Sequence, residues 1–168
     1  KSQEWLELAK NTYAPALNIH TLDNLKKIKE MGMHPWVYNN GLDRYGMGIH
    51  LWRGIKGGCE GRMEWTGMFT QGFGFYNLDG REPSRSSFMV HRRFGCLKTS
   101  RWLSVREGLL DCRIRLTLEK LATKNDPALL LWTLANYRKD RGKWTDKKLD
   151  EARAKMLARL LELSAKKK

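Results

Sequence analysis

The chain has few of the residues that build disulfide-linked or metal-bound scaffolds. Its 168 residues contain three cysteines, Cys59, Cys96 and Cys112, so at least one thiol has no partner for a disulfide within the chain. The cysteines lack the paired spacing of zinc ligands, and the four histidines form no metal motif. We therefore predict no disulfide scaffold, no metal site and no cofactor.

Long apolar runs and nucleotide-binding motifs are also missing. No stretch of about 18 uninterrupted apolar residues occurs, so we expect no transmembrane helix and no membrane partner. The stretch GIKGG, residues 54–58, is rich in glycine but lacks the strand-to-helix context of a phosphate-binding loop. Nucleotide-dependent activity is therefore not expected, and the cellular compartment is left open.

Basic residues outnumber acidic ones and are concentrated towards the end of the chain. The formal net charge is +14, and the last 31 residues hold twelve basic and five acidic side chains, which is +7 of that total. Such a segment is typical of a lysine-rich helix whose charges lie in water. A basic tail also attracts nucleic acid through the release of counterions, so both interpretations stay open.

Strand and helix patterns alternate in the first third of the chain. Residues 14–20, APALNIH, have the pattern of a strand, and residues 21–32 that of a helix with Thr21 as its cap and Gly32 as its end. A second strand is predicted in MHPWVYNNG. A glycine-rich amphipathic stretch then leads to a third strand in RMEWTGMF. This alternation is typical of parallel βα units.

A long helix is predicted over residues 99–122. Gly108 interrupts it at a cost of about 1 kcal/mol relative to alanine, which indicates a close packing contact. Glu107 and Asp111 lie four positions apart with Arg106 and Arg115 nearby, which favours an internal cluster of salt bridges. The predicted apolar stripe consists of Trp102, Val105, Leu109, Leu110, Ile114, Leu116, Leu118 and Leu121.

Three motifs, in the order RYGMGIHLWRGIKGGCEGRMEW, FGFYNLDG and RWLSVREGLLDCRIRLTLEKL, resemble the C-terminal part of the (β/α)₈ barrel of glycoside hydrolase-like proteins. Among such proteins the motifs resemble those of the β-N-acetylgalactosaminidase-type family, which uses substrate assistance, and of uncharacterised bacterial domains related to it. The resemblance extends from Ala16 to Ala122. The matching residues are Trp52, Gly57, Trp65, Arg106, Glu107, Gly108 and Asp111.

The predicted fold class is α/β. Residues 1–122 are expected to form a partial (β/α) barrel with about three βα units, and residues 123–168 a basic α-helical extension. A full barrel takes about 250 residues, so this chain does not close one of ordinary size. We expect its open strand edges to be covered by the remainder of a longer chain, by a partner subunit or by the appended helices.

Candidate sugar-binding residues follow from the barrel resemblance, because ligands collect at the C-terminal ends of barrel strands. Trp36, Tyr38 and Asn39 belong to the second predicted strand, and Trp65 to the third. An indole ring there can stack on the apolar face of a sugar. The alternative for both tryptophans is packing in the barrel core.

Catalytic acids are harder to place. Glycoside hydrolysis needs two carboxyl groups, or one acid with a substrate acetamido group as nucleophile. Glu64 and Asp43 lie near predicted strand ends and are weak candidates, since surface carboxylates are common there. The resemblance places the family's acidic pair on an earlier strand, outside this segment. The isolated chain is therefore expected to be inactive.

Two functions remain. The first is a carbohydrate-active, glycoside hydrolase-like barrel segment that contributes aromatic sugar-binding residues. The second is a basic module without enzymatic activity, which binds nucleic acid or another polyanion through its C-terminal helices and the arginine-rich residues 81–95, with Phe88 and Phe94 for stacking. The aromatic residues follow predicted strands and core helices, which favours the first.

Overall fold

The computed structural model describes residues 7, 8, 10–18, 21–38, 41–63, 89–92, 95–98, 100–134 and 140–166. It contains both helices and strands. In chain order these are β1 (Ala16–Leu17), α1 (Leu22–Glu30), β2 (Trp36–Tyr38), a π-helical turn (Gly46–His50) continuing into α2 (Leu51–Lys56), β3 (Gly61–Met63), β4 (Met89–Arg92), β5 (Gly95–Lys98), α3 (Ser100–Leu121), a 3-10 turn (Arg141–Lys143) and α4 (Asp146–Ala165).

Strands β1, β2 and β3 form a parallel sheet in the order of the sequence. Trp36 of β2 pairs with Ala16 of β1 on one side and with Gly61 of β3 on the other. Helix α1 connects β1 to β2, and the π-helical turn with α2 connects β2 to β3. The α/β prediction is confirmed, while β4 and β5 form a separate antiparallel hairpin.

Helix α1 begins and ends where its sequence indicates. The Thr21 hydroxyl accepts a hydrogen bond from the backbone N–H of Asn24 at 3.1 Å, and Gly32 adopts a φ of 79° just beyond the last turn. Leu25 of this helix packs in one cluster with Val37 of β2. One face of the parallel sheet is therefore covered by α1.

The largest hydrophobic cluster lies between the π-helical turn, α2, α3 and α4. It consists of buried side chains: Tyr45, Ile49, Trp52, Cys112, Leu118, Leu129, Trp132, Leu149 and Met156. Leu149 and Met156 belong to α4 and are 2% and 0% exposed. Residues on both sides of position 122 thus contribute to one core, and the proposed boundary at that position stays a prediction about chain organisation.

The buried face of α3 differs from the apolar stripe that the sequence suggests. Leu109 and Leu110 are 38% and 40% exposed, so the predicted stripe is wrong at these two positions, while Trp102 is half-buried. The buried positions are Val105, Gly108, Asp111, Cys112, Arg115 and Leu118. This face is buried because α3 crosses the backbone at Arg44 closely at Gly108. A Cβ at Gly108 would lie 2.6 Å from the carbonyl oxygen of Arg44. The predicted close contact at Gly108 is confirmed.

Candidate functional site

The second face of the parallel sheet carries two of the predicted sugar-binding residues. Successive side chains of a strand point to opposite faces, so Trp36 and Tyr38 lie on the face away from Val37 and α1. Val37 is buried, whereas Trp36 and Tyr38 are half-buried. Met63 of β3 is paired with Tyr38 and is 46% exposed. The structure therefore brings Trp36 and Tyr38 together on one partly exposed sheet face.

The two aromatic residues occupy opposite ends of β2. Trp36 is its first residue and Tyr38 its last, so their Cα atoms are about 6.6 Å apart along the strand. Tyr38 lies at the C-terminal end, where barrel ligands collect. Trp36 lies at the N-terminal end and reaches over the neighbouring strand. An alanine Cβ at Gly61 would come within 2.6 Å of the Cδ2, Cε2 and Nε1 atoms of the Trp36 indole.

The other predicted site residues divide into two groups. Asn39, Trp65 and Glu64 lie outside the described residues. Asp43 is described, and both of its carboxylate oxygens have partners. Its Oδ1 accepts the backbone N–H of Gly46 at 2.7 Å, and its Oδ2 pairs with Arg141. The carboxylate of Asp43 thus caps the helical segment after β2 and holds the C-terminal part of the chain beside it.

A buried arginine and carboxylate pair, missed by sequence reasoning, joins α2 to the segment before α4. The guanidinium of Arg53 donates through Nη1 and Nη2 to the two oxygens of Asp140, each at 2.8 Å. The Tyr45 hydroxyl donates to Asp140 at 2.7 Å. These hydrogen bonds, that from Arg53 above all, hold the pKa of Asp140 well below its usual range. Burial, together with Asp140, raises the pKa of Tyr45.

A second ionic cluster fixes α3 between the π-helical turn and α4. Asp111 is 0% exposed and accepts a hydrogen bond from Nε of Arg44 at 2.8 Å. It also forms an ion pair with Arg153 of α4. Glu107 forms an ion pair with the same Arg153. The hydrogen bond from Arg153 keeps the pKa of Glu107 below its usual value. The predicted internal salt-bridge cluster at Glu107 and Asp111 is therefore confirmed.

The arginine partners of this cluster differ from those we expected. Arg106 does pair with Glu107, at 2.9 Å. Arg115 instead pairs with Glu119 at 2.9 Å and donates to the carbonyl of Leu129 at 3.0 Å, and its guanidinium lies 4.6 Å from the ring centroid of Trp52. The sequence identified the acids from their helical spacing, but Arg44 and Arg153 come from segments 67 and 42 positions away from Asp111.

The three arginines that the structure describes in the basic extension are also engaged within the chain. The pairs are Arg141 with Asp43, Arg153 with Asp111, and Arg159 with Asp126. By contrast, α4 exposes several lysines to solvent: Lys147, Lys148 and Lys155. Most of residues 81–95, including Phe88 and Phe94, lie outside the described part of the chain. The described guanidinium groups of the extension therefore hold the fold together.

The described residues contain no group of three or more histidine, cysteine, aspartate or glutamate side chains arranged to hold a metal ion. None of the helices in these ranges has the length and apolar character needed to cross a membrane. A groove of about 420 Å³ lies where Leu22, Lys26 and Lys56 approach one another, away from the Trp36 face. No family model, curated protein or solved structure matches the chain.

Proposed function

We propose that the chain is a carbohydrate-active barrel segment that binds a sugar ring at the C-terminal end of its parallel sheet, where Tyr38 lies. The observation that carries this proposal is the sequential parallel order of β1, β2 and β3, with helices between the strands and two half-buried aromatic side chains opposite α1. Sequential parallel βα units are the repeating element of a barrel. The resemblance of residues 16–122 to glycoside hydrolase-like barrels supports the same choice of ligand.

Aromatic side chains on such a face suit a sugar. Tryptophan and tyrosine present large, rigid surfaces, and the C–H groups of a pyranose pack against them while its hydroxyls stay in water. Parallel sheets are normally covered on both faces. In an assembled barrel this face is directed at the packed interior, so in this proposal Trp36 packs in the core and a sugar reaches Tyr38 from the C-terminal end of the strands.

Hydrolysis by the isolated chain is not part of the proposal. The mechanism needs a carboxyl group free to protonate the leaving oxygen. Asp43 acts as a cap and ion-pair partner, Glu60 pairs with Lys29 and His34, and Asp111 is fully buried. We propose that the catalytic acids belong to other strands of the complete barrel, and that this segment supplies binding surface.

The test is a titration of the purified chain with N-acetylglucosamine and N-acetylgalactosamine, followed by tryptophan fluorescence. We expect a saturable change that is lost in Tyr38→Ala and persists in Trp102→Ala, which removes a half-buried indole from α3. Release of nitrophenol from an aryl β-N-acetylhexosaminide is expected to be undetectable. Robust turnover that Glu64→Gln abolishes would contradict the assignment of catalysis to other strands.

A basic binding module is the competing outcome of the same experiment. Arg153 and Arg159 of the tail are engaged in internal pairs, so this module would depend on exposed lysines of α4 and on residues 81–95. Absence of any sugar response, combined with an affinity for single-stranded RNA that falls steeply as salt rises, would replace the carbohydrate proposal with this one.

A further inference from the structure

We propose that the outer face of α4 is a self-association surface, on which a second copy of the chain packs its own α4 in the antiparallel direction. This surface differs from the candidate ligand site, and self-association on it goes beyond the proposed function. Two features of α4 support it: an exposed apolar stripe, and charged residues along one edge of that stripe whose order is complementary to itself.

Helix α4 has apolar residues on two sides. The inner stripe faces the core of the chain and consists of Leu149, Ala152, Met156, Leu160 and Leu163. The outer stripe is exposed and recurs at spacings of three and four positions: Ala154, Leu157, Ala158, Leu161 and Ala165. Leu157 and Leu161 are 40% and 72% exposed. A surface helix normally has one apolar side and one polar side, so the outer stripe indicates a second packing partner.

Exposed charged residues follow one edge of the outer stripe. In chain order they are Glu151, Lys155, Glu162 and Lys166, which share a side of the helix at about 100° per residue. Glu162 pairs with Arg159 at 2.7 Å, whereas the other three form no ion pair with another described residue. The signs alternate along the edge, negative first and positive last. Reversing the direction of the helix therefore reverses the sign at each position.

An antiparallel alignment of two copies brings opposite charges together along this edge. With a two-fold axis midway between positions 158 and 159, Lys155 meets Glu162 of the second copy. In the same alignment, Glu151 meets Lys166 of the second copy. Two-fold symmetry repeats each contact, so both kinds of ion pair form twice. The charge order of α4 thus fits a second α4 without any change in register.

The apolar stripe fits the same alignment. Leu161 of one copy lies beside Ala154 and Leu157 of the other, and Ala158 lies next to the axis. Small residues at these places let the two helices approach closely. A parallel pair would instead place the charged edge against the opposite edge of the stripe, where Asp150 and Leu157 lie. The antiparallel direction is therefore the one that uses both the apolar and the charged residues.

The size of the surface limits the affinity. Helix α4 has 20 residues, so it is about 30 Å long and about 10 Å wide. Contact confined to this helix is smaller than the roughly 800 Å² per partner of a standard stable interface. The net charge of +14 on each copy also opposes association, although salt at about 0.15 M screens charges more than about 8 Å apart. We therefore expect a reversible dimer with a Kd on the order of 100 µM.

The experiment is analytical ultracentrifugation of the full chain from about 5 µM to about 1 mM, because the dimer fraction depends on concentration. The variants are Lys155→Glu, Glu162→Lys, an equimolar mixture of these two, and Leu161→Ala. Lys148→Glu is the charge control, since Lys148 lies on the same edge but outside the overlap of the two helices. Leu130→Ala is the apolar control, since Leu130 is 63% exposed and lies outside α4. Thermal unfolding at the lowest concentration verifies that each variant is folded.

The expected result is a rescue by mixing. Lys155→Glu and Glu162→Lys each turn two attractive contacts into repulsive ones, so each alone should weaken the dimer about 5- to 10-fold. The mixture should associate about as strongly as the wild-type chain, because each new glutamate then faces a new lysine. Leu161→Ala should weaken the dimer at least about 10-fold, since each copy loses a buried leucine. Both controls should match the wild-type chain.

Three outcomes would overturn this proposal, and none of them depends on sugar binding. A wild-type chain that stays monomeric at about 1 mM would show that another segment or a different protein covers the outer stripe. A dimer that Leu161→Ala and Lys155→Glu leave at wild-type strength would show that association uses another surface. Weakened single variants without rescue in the mixture would exclude the antiparallel pairing of Lys155 with Glu162.

Discussion

Replacing Asp140 with alanine is expected to destabilise the fold strongly, because it leaves the guanidinium of Arg53 charged and without its carboxylate. The Arg53 side chain is 1% exposed, and each of its two terminal nitrogens donates a hydrogen bond to Asp140. Tyr45 loses the acceptor for its hydroxyl in the same change. Trp144 loses the acceptor for its indole N–H as well, so three side chains that were satisfied by one carboxylate would have to find other partners.

The magnitude follows from the burial of Arg53. Removing one partner of a buried ion pair costs about 3–5 kcal/mol, since the remaining charge has no compensation. Arg53 retains the carbonyl of Thr133 as an acceptor at 2.6 Å, which places our expectation in the lower half of that range. In a domain of this size each kcal/mol lowers Tm by roughly 2–4 °C, so the whole range corresponds to about 6–20 °C.

Urea denaturation followed by circular dichroism measures this loss. Glu162→Ala is the control, because it removes a carboxylate that is 61% exposed and paired with Arg159, a change worth about 0–1 kcal/mol. A double variant of Arg53→Met with Asp140→Ala should lose less stability than the sum of the single changes. A loss under about 1 kcal/mol in Asp140→Ala, or additive effects in the double variant, would refute the buried-pair argument.

Three further predictions concern α3, α4 and acid. Gly108→Ala should destabilise the chain by about 1–3 kcal/mol in urea denaturation, although alanine favours helix, because its Cβ would meet the carbonyl of Arg44. Deletion of Lys143–Lys168, which removes the fully buried Met156, should abolish cooperative thermal unfolding; an unchanged transition would show that α4 is dispensable for the core. The free energy of unfolding should decrease as the pH is lowered below about 4. Arg53 depresses the pKa of Asp140, so that carboxylate stabilises the fold above its unfolded pKa of about 3.9, and the benefit is lost as the pH drops towards the folded value. The free energy of unfolding of Asp140→Asn, measured by urea denaturation across the same pH range, should decrease less.

Local signals in the sequence were sufficient for part of the fold. Thr21 and Gly32 marked the ends of α1, since a cap and a left-handed glycine act within a few residues of their own position. The alternation of βα units likewise predicted a parallel sheet. The buried face of α3 was not predictable in this way, because it depends on where Gly108 crosses another backbone. Hydrophobicity alone favoured Leu109 and Leu110, which the crossing leaves exposed.

The candidate site shows the same division. The two-residue period of a strand predicts that Trp36 and Tyr38 share a face, and the structure agrees with that period. The contact between Trp36 and Gly61 depends on the register of two strands, which no local pattern specifies. The Arg53 and Asp140 pair joins residues 87 positions apart, so the sequence contains no spacing from which to infer it.

The glycine crossing of α3 also restricts how the helices can move. Gly48 and Gly108 meet without a side chain between them, since a Cβ at Gly48 would lie 3.4 Å from the carbonyl oxygen of Gly108. Three residues further along α3, Asp111 accepts a hydrogen bond from the guanidinium of Arg44. Sliding α3 by one turn, about 5.4 Å, would insert a larger side chain at the crossing and separate this ion pair at the same time. Helix α3 and the π-helical turn therefore have a single alignment, and any displacement of one must carry the other with it as a rigid pair.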